Sequence, residues 1–368
     1  MGGTVYREPQ RLQGKGTPSL RRVKTNWWLI IAVVVVFVLA ALWLASQIFH
    51  SNEPAPVPVI AGTSSRSLAI SGDGKLLASG ALDGTLRVFS TENGHARSMT
   101  RLPSAVMALT FGPGDTLFAL VQNDSRLHIF SGDLTVHSER EVQPHPHDLA
   151  WSQTLDGVIV ISGGIDEVHP KLEIFPAQPM GIVESTVQLY DLRAWSAPRS
   201  VAASSDGTRI AIALSARKNN LIFYDPKVRR IAAVLTVDGT PQGMAFSEKE
   251  ERLWVASPAT ETITEISPRS TVTTAYPKGA STSPPIMIAV NEAARRAYTS
   301  GSLTFPEVDL DQNKIVRTVE LPFRSAAIVL SPDGKTAYVS ADDQNRIGVV
   351  DVQNMKYLRD ITWVSPSK

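Results

Sequence analysis

The chain of 368 residues has no cysteine. That absence excludes disulfides, thiolate metal sites, a lipid-bearing N-terminal cysteine and covalently attached c-type haem. It suits a protein for which an oxidising compartment poses no difficulty. Also missing are a Gly-x-Ser-x-Gly elbow, a P-loop, a His-Glu-x-x-His helix and a dinucleotide-binding glycine fingerprint. The motif-bearing hydrolases, nucleotidases, metalloproteases and dehydrogenases are thereby set aside, and no cofactor is expected. Acidic side chains are nearly absent from the first 26 residues, where Glu8 stands alone against Arg7, Arg11, Lys15, Arg21, Arg22 and Lys24. Without apolar periodicity, that stretch reads as a disordered basic tail. The rest of the chain is mildly acidic, which argues against a nucleic-acid partner. Position 6 is Tyr where N-myristoylation needs Ser or Thr.

What is present begins with an uninterrupted apolar run over 27–45, WWLIIAVVVVFVLAALWLA, continuing to Phe49. At about 1.5 Å per residue this run crosses the roughly 30 Å hydrocarbon core, predicting a transmembrane α-helix over 27–49. Trp27, Trp28 and Trp43 occupy positions suited to the membrane interfaces. The rival is a cleaved signal peptide, but the run exceeds an ordinary apolar signal region, and Trp43 stands where cleavage needs a small residue. Arg21, Arg22 and Lys24 flank only the N-terminal side, so the tail is expected in the cytoplasm and the remainder outside it. The expected setting is a bacterial inner membrane with a periplasmic domain. Residues 50–64 carry Pro54, Pro56 and Pro58 and read as an extended spacer.

From residue 65 a pattern recurs roughly every 40–45 residues, with one longer interval in the third copy. Its sharpest copy is Ala326 onward, AAIVLSPDGKTAYVSADDQNRIGVVDV, in which β-rich runs alternate with polar turns. The residue after the first run of each copy is Ser71, Gly112, Ser152, Ser204, Ser247, Asn291 or Ser331. One and three residues earlier stand apolar side chains, most of them large, such as Ile70 and Leu68 or Leu330 and Ile328. Two residues earlier stand mostly small ones, Ala69, Thr110, Ala150, Ala202, Ala245, Ala289 and Val329. Strand alternation with one bulky and one slim face suits an inner strand squeezed between neighbouring sheets. Seven such copies predict an all-β, seven-bladed propeller of four-stranded antiparallel blades over 65–364, followed by a short tail, 365–368. In the first copy the strands are predicted near 67–70, 76–80, 85–90 and 96–102. The last copy has its own fourth strand, 357–363, though 57–61 offers an alternative closing strand.

The segment from Ser71, SGDGKLLASGALDGTLRVF, resembles a WD40 repeat, and Ser331 onward, SPDGKTAYVS, resembles a YVTN repeat. Where WD40 repeats place Trp-Asp, the chain has Phe89-Ser90, Tyr190-Asp191, Tyr224-Asp225 and Val350-Asp351, which leans toward the YVTN side. The resemblance implies a propeller that docks partners, and some similar propellers are lactonases.

Alternation puts the connection into each first strand and the loop between second and third strands on one face, the upper face. The Asp-Gly turns lie on the other and are explained by turn geometry. Five residues before each repeat position stand Arg66, Met107, His147, Arg199, Gln242, Ile286 and Ala326, with Arg324 close by. Arg66, His147, Arg199 and Arg324, with Gln242 beside them, either bind an anion or acidic partner surface or cap a solvated rim. A second candidate is His145-Pro-His147-Asp148 together with a predicted insertion over 163–184 that contains Asp166, Glu167 and His169. Its histidines and carboxylates form either a metal site or a polar surface loop; with no ligand geometry repeating elsewhere, no metal is assigned. The preferred expectation is a non-catalytic scaffold subunit of a larger membrane complex. The alternative is a periplasmic lactonase-like or metal-assisted hydrolase using the channel mouth.

Overall fold

The structure, a computed structural model, describes residues 65–164, 169–176, 185–188, 197–204, 206–246, 252–267, 271–275, 286–312, 314–341 and 346–362. The predicted tail 1–26, helix 27–49 with its flanking Arg21, Arg22, Lys24, Trp27, Trp28 and Trp43, spacer 50–64, strand 57–61 and tail 365–368 lie outside the described residues. Among the described residues no helix is long and apolar enough to cross a membrane.

The described residues form twenty-eight strands in seven four-stranded sheets, each sheet made of four consecutive antiparallel strands. In the first blade these are Ser65–Ile70, Leu76–Ala81, Thr85–Ser90 and Ala96–Arg101. The last blade likewise has four strands of its own, Ser325–Leu330, Thr336–Ala341, Arg346–Asp351 and Lys356–Thr362. The ring closes where the inner strands of the first and last blades pack together.

Turn chemistry explains why the strands stop where they do. In Ser71-Gly-Asp73-Gly, Asp73 Oδ1 accepts the Ser71 hydroxyl at 2.7 Å and the Lys75 N–H at 3.0 Å. The Leu76 N–H then donates to Ser71 Oγ at 2.9 Å. The same knot recurs at Ser204 with Asp206 and at Ser331 with Asp333. A fourth instance, Ser131 with Asp133, joins the outer two strands of the second blade. The Lys75 N–H is the chief cause holding Asp73 below the usual carboxylate range. The serine hydroxyls chiefly lower Asp206, Asp333 and Asp133, the last to about 2.

There is no single core. Seven apolar clusters each fill the junction between two neighbouring blades. The inner strand sends its large residues backward and its small one forward. Leu109 and Phe111 of the second blade pack with Ala69 of the first, and Ile328 and Leu330 of the seventh pack with Ala289 of the sixth. The closing junction obeys the same rule, with Leu68 and Ile70 meeting Ala327 and Val329. Burying each such aliphatic side chain contributes about 1.5–3 kcal/mol, so the ring is held by many moderate terms at equal spacing.

The third blade differs from expectation. Lys171–Pro176, inside the predicted 163–184 insertion, is the blade's third strand, and Ser185–Gln188 is its fourth. The apolar side chains of Leu172-Glu-Ile-Phe175 pair in register with Val158-Ile-Val-Ile161, and that match sets the pairing. Tyr190-Asp191 therefore follows the fourth strand and does not close the third. The extra length is spread over the connections around these strands.

Candidate functional site

On the upper face of the first, second and sixth blades, the connection leaving the blade is tied to the loop between its second and third strands by the same backbone bond. Leu102 N–H donates to Gly84 O at 2.8 Å, Val142 N–H to Ser125 O at 3.0 Å, and Leu321 N–H to Leu303 O at 2.7 Å. In the fourth blade the Asn220 side chain does this work, accepting Val237 N–H at 2.9 Å.

Just inside this layer the inner strands slip out of register. Between Ser65 and Ser67 the pairing skips Arg66; between Val106 and Ala108 it skips Met107. His147, Arg199 and Ala326 are passed over in the same way. A bulge leaves its extra residue outside the ladder and re-aims the side chain. In the fifth and sixth blades Gln242 and Ile286 stand one and two residues before their strands, their N–H groups bound to Ala256 O at 3.0 Å and Ser300 O at 2.9 Å. The position picked out by sequence thus becomes, in five blades, a residue that the ladder skips and, in the other two, one just before the inner strand.

The members of this ring differ in what they can do. Arg199 is exposed and donates to Ser215 Oγ at 3.1 Å. Arg324 is exposed and Gln242 half-buried. The Arg66 side chain, Asp166 and Glu167 lie outside the described residues. His147, half-buried, donates from Nε2 to Gly163 O at 2.9 Å. Burial is the main cause lowering its pKa, with Arg199 and His145 adding to the effect and the Gly163 carbonyl opposing it. The histidine is therefore neutral at pH 7, and cationic charge at the mouth rests on the arginines. Arg199 and His147 are thus close enough to feel each other across the third and fourth blades.

His145 is bound up in the same brace. It adopts a left-handed backbone, φ 58°, and its carbonyl accepts Gly163 N–H at 3.0 Å. A Cβ at Gly163, φ +85°, would fall 2.4 Å from His169 O, so the hairpin requires glycine there. Asp148 comes next. Its Oδ1 accepts the Leu149 N–H at 2.9 Å and its Oδ2 the Val201 N–H of the fourth blade at 3.0 Å. Burial pushes its pKa up to about 6 against the pull of those bonds and of the Ser200 hydroxyl. His145, His147 and Asp148 are thus engaged in holding backbone, and exposed His169 does not join them in a three-ligand set.

One three-ligand set does gather among the described residues, in the preceding blade: His128, His137 and Glu139, in the outer two strands of the second blade. The signal was available in principle, because His-x-Glu spacing puts both side chains on one face of a strand. It becomes meaningful only once the partner strand supplies His128.

The WD domain, G-beta repeat (WD40) model matches residues 56–90, covering the first three strands of the first blade. No curated protein matches the chain by sequence. Among solved structures, the β-propeller domain of Cps50 (Swd1) from Myceliophteria thermophila is similar with a TM-score of 0.65 and 15% identity. The superposition covers 80% of this chain and 99% of that one. Hydrazine synthase of Kuenenia stuttgartiensis is similar with a TM-score of 0.69 and 14% identity, covering 82% of this chain and 98% of that one. At these identities the likeness shows the fold. Together with the repeat match it supports a WD40-type propeller, an architecture that fits a protein-interaction scaffold.

Proposed function

We propose that this chain is a non-catalytic docking subunit of a larger bacterial inner-membrane complex. In this reading the 27–49 helix anchors it, residues 1–26 face the cytoplasm, and the propeller stands in the periplasm. The upper face meets the partner through Arg199 and Arg324, with Gln242 and Arg66 in the same ring of positions. One observation carries the reading. In five of the seven blades the ladder skips the ring residue, and the ring residues vary in chemistry, while His147 and Asp148 beside them bond backbone groups.

Purification of the full chain from native membranes in mild detergent tests this. A stable co-purifying membrane partner is expected, and the double substitution Arg199→Glu with Arg324→Glu should release it while the monomer still elutes as a folded species. A lone monomer in every mild detergent sinks the proposal. Reporter fusions at residue 20 and at Lys368 check orientation, and a cytoplasmic C-terminus overturns the anchoring scheme.

A second reading follows from the sequence resemblance, since some similar propellers are lactonases. Under it the mouth hydrolyses a lactone or similar ester. Turnover by the purified full chain that disappears in His147→Ala, with the fold retained, would establish it over docking.

A further inference from the structure

The His128, His137 and Glu139 side chains project from two adjacent strands, Arg126–Phe130 and His137–Glu141. His128 lies directly opposite Glu139, and Phe130 opposite His137. Same-face spacing brings His137 diagonally next to His128. The three candidate donor atoms form a small triangle. His128 Nδ1 lies 3.0 Å from His137 Nε2, and Glu139 Oε1 lies 3.5 Å from each of those nitrogens. Four ligands placed tetrahedrally about 2.0–2.1 Å from a zinc-type ion stand about 3.3–3.4 Å apart. The triangle has the dimensions of one face of such a tetrahedron.

The surroundings fit as well. His128 is 1% exposed, and its other nitrogen, Nε2, lies 2.8 Å from Asp124 Oδ2. That carboxylate accepts the Nε2–H bond, keeping the proton on Nε2 and leaving Nδ1 with its lone pair aimed into the triangle. A carboxylate behind a ligating histidine orients the ring and raises its basicity. Arg126 donates to Glu139 Oε2 at 2.5 Å, holding the second oxygen back and turning Oε1 inward. The Phe130 ring stacks on His137, with centroids 4.4 Å apart and planes 9° from parallel. Three ligands therefore come from protein. With His137 and Glu139 side chains 39% and 33% exposed, the fourth position faces solvent.

We propose that this triangle binds one divalent transition-metal ion of the zinc type through His128 Nδ1, His137 Nε2 and Glu139 Oε1, with a water or a partner's side chain as the fourth ligand. Without metal, two imidazole nitrogens facing each other at 3.0 Å share one proton. The ion takes that proton's place, and His137 regains a proton at Nδ1 through exchange with solvent, so both rings stay neutral, no net proton is released and the site gains two charges. Bound there, the ion clips the outermost strand of the second blade to its neighbour. Sheet edges are otherwise open to fraying and to pairing with other chains.

The test uses the full chain in detergent, stripped with a chelator and titrated with zinc sulfate against a competing indicator. One equivalent is expected to bind, and substitution by cobalt should give the intense visible absorption of a four-coordinate ion. His137→Ala and Glu139→Gln, both at partly exposed positions, should each weaken zinc binding by roughly 100-fold or more. Asp124→Asn, which removes only the orienting carboxylate, should weaken it by roughly 10–100-fold. His147→Ala should leave it unchanged. Absence of binding at stoichiometric zinc overturns the proposal and leaves a proton-sharing pair. So does binding that survives both ligand substitutions. Loss in His147→Ala alone would move the metal to the channel mouth and refute this site.

Discussion

Asp148 should make the propeller's stability depend on pH in a direction opposite to that of its turn aspartates. Its carboxyl accepts the Leu149 N–H of its own strand and the Val201 N–H across the junction of the third and fourth blades, yet burial dominates and raises the pKa from 3.8 to about 6. A folded value above the unfolded one means a stability contribution fully present below pH 3.8 and lost as pH rises through about 6. The full span corresponds to about 3 kcal/mol, of which about 2 kcal/mol falls between pH 4.5 and pH 7.5. Asp73, Asp133, Asp206 and Asp333, with lowered values, contribute stability that is lost only below the ordinary carboxylate range. Comparing Asp148→Asn with the parent at each pH cancels them. Asparagine keeps the shape but offers one acceptor oxygen for two N–H donors, a cost of about 1–3 kcal/mol that does not vary with pH. Relative to the parent, the variant should therefore gain about 2 kcal/mol on going from pH 4.5 to pH 7.5. That is roughly 3 °C in the difference of thermal midpoints, followed by tryptophan fluorescence. A difference that is flat, or that moves against asparagine as pH rises, would falsify the reasoning. It would show that the two N–H bonds outweigh burial.

Four further substitutions probe the frame. Glu307 is 1% exposed and is gripped by Arg317, which also donates to Gln353 O of the next blade at 2.8 Å. Glu307→Ala should cost about 2–3 kcal/mol and Glu307→Gln less, because Arg317 reaches solvent when released. Hydrogen exchange should quicken first around residues 352–353; an unchanged midpoint for the alanine variant contradicts this. Gly84 has φ +84°, and a Cβ there would meet Leu102 O at 2.4 Å and Ser104 O at 2.8 Å. Gly84→Ala should cost about 2–4 kcal/mol through backbone strain and crowding. Gly72→Ala, with nothing within 4 Å, should be neutral or slightly stabilising. Equal thermal midpoints for the two variants would mean that the upper-face loop yields more easily than its contacts suggest.

Much of the architecture could be read before any coordinates, because the inner strand carries a code that seven copies repeat. Bulky side chains such as Leu68 and Ile70 face one neighbour, and Ala69 faces the other. The Ser-x-Asp-Gly knots were equally legible, since hydroxyl, carboxylate and glycine are each needed for a stated bond. The third blade was misread because Tyr190-Asp191 imitates the end of a third strand. The real one, Leu172-Glu-Ile-Phe, is too short to stand out without its partner strand. At the mouth the position was visible but its mechanism was not. A register slip leaves no mark in one strand's composition, so nothing in the sequence said that Arg66 or Arg199 would be skipped by the ladder. Nor could sequence say that His147 is neutral, which follows from burial outweighing its bond to the Gly163 carbonyl. The His128 cluster is a contact between strands, and one strand alone does not announce it.

The bulge separates two jobs that most strand residues must share. One and three residues before each repeat position the chain keeps apolar side chains throughout, because every junction needs them. At the skipped or terminal position, two residues further back, the seven copies carry Arg66, Met107, His147, Arg199, Gln242, Ile286 and Ala326. These include cations, a neutral ring, an amide, a thioether and plain hydrocarbon on one backbone template. A duplicated unit can diversify there without disturbing its neighbours, so the face can be rewritten one letter at a time while the ring stays closed. Seven independent letters give such a surface a large vocabulary, and swapping them between blades should change what it reads long before it changes whether the protein folds.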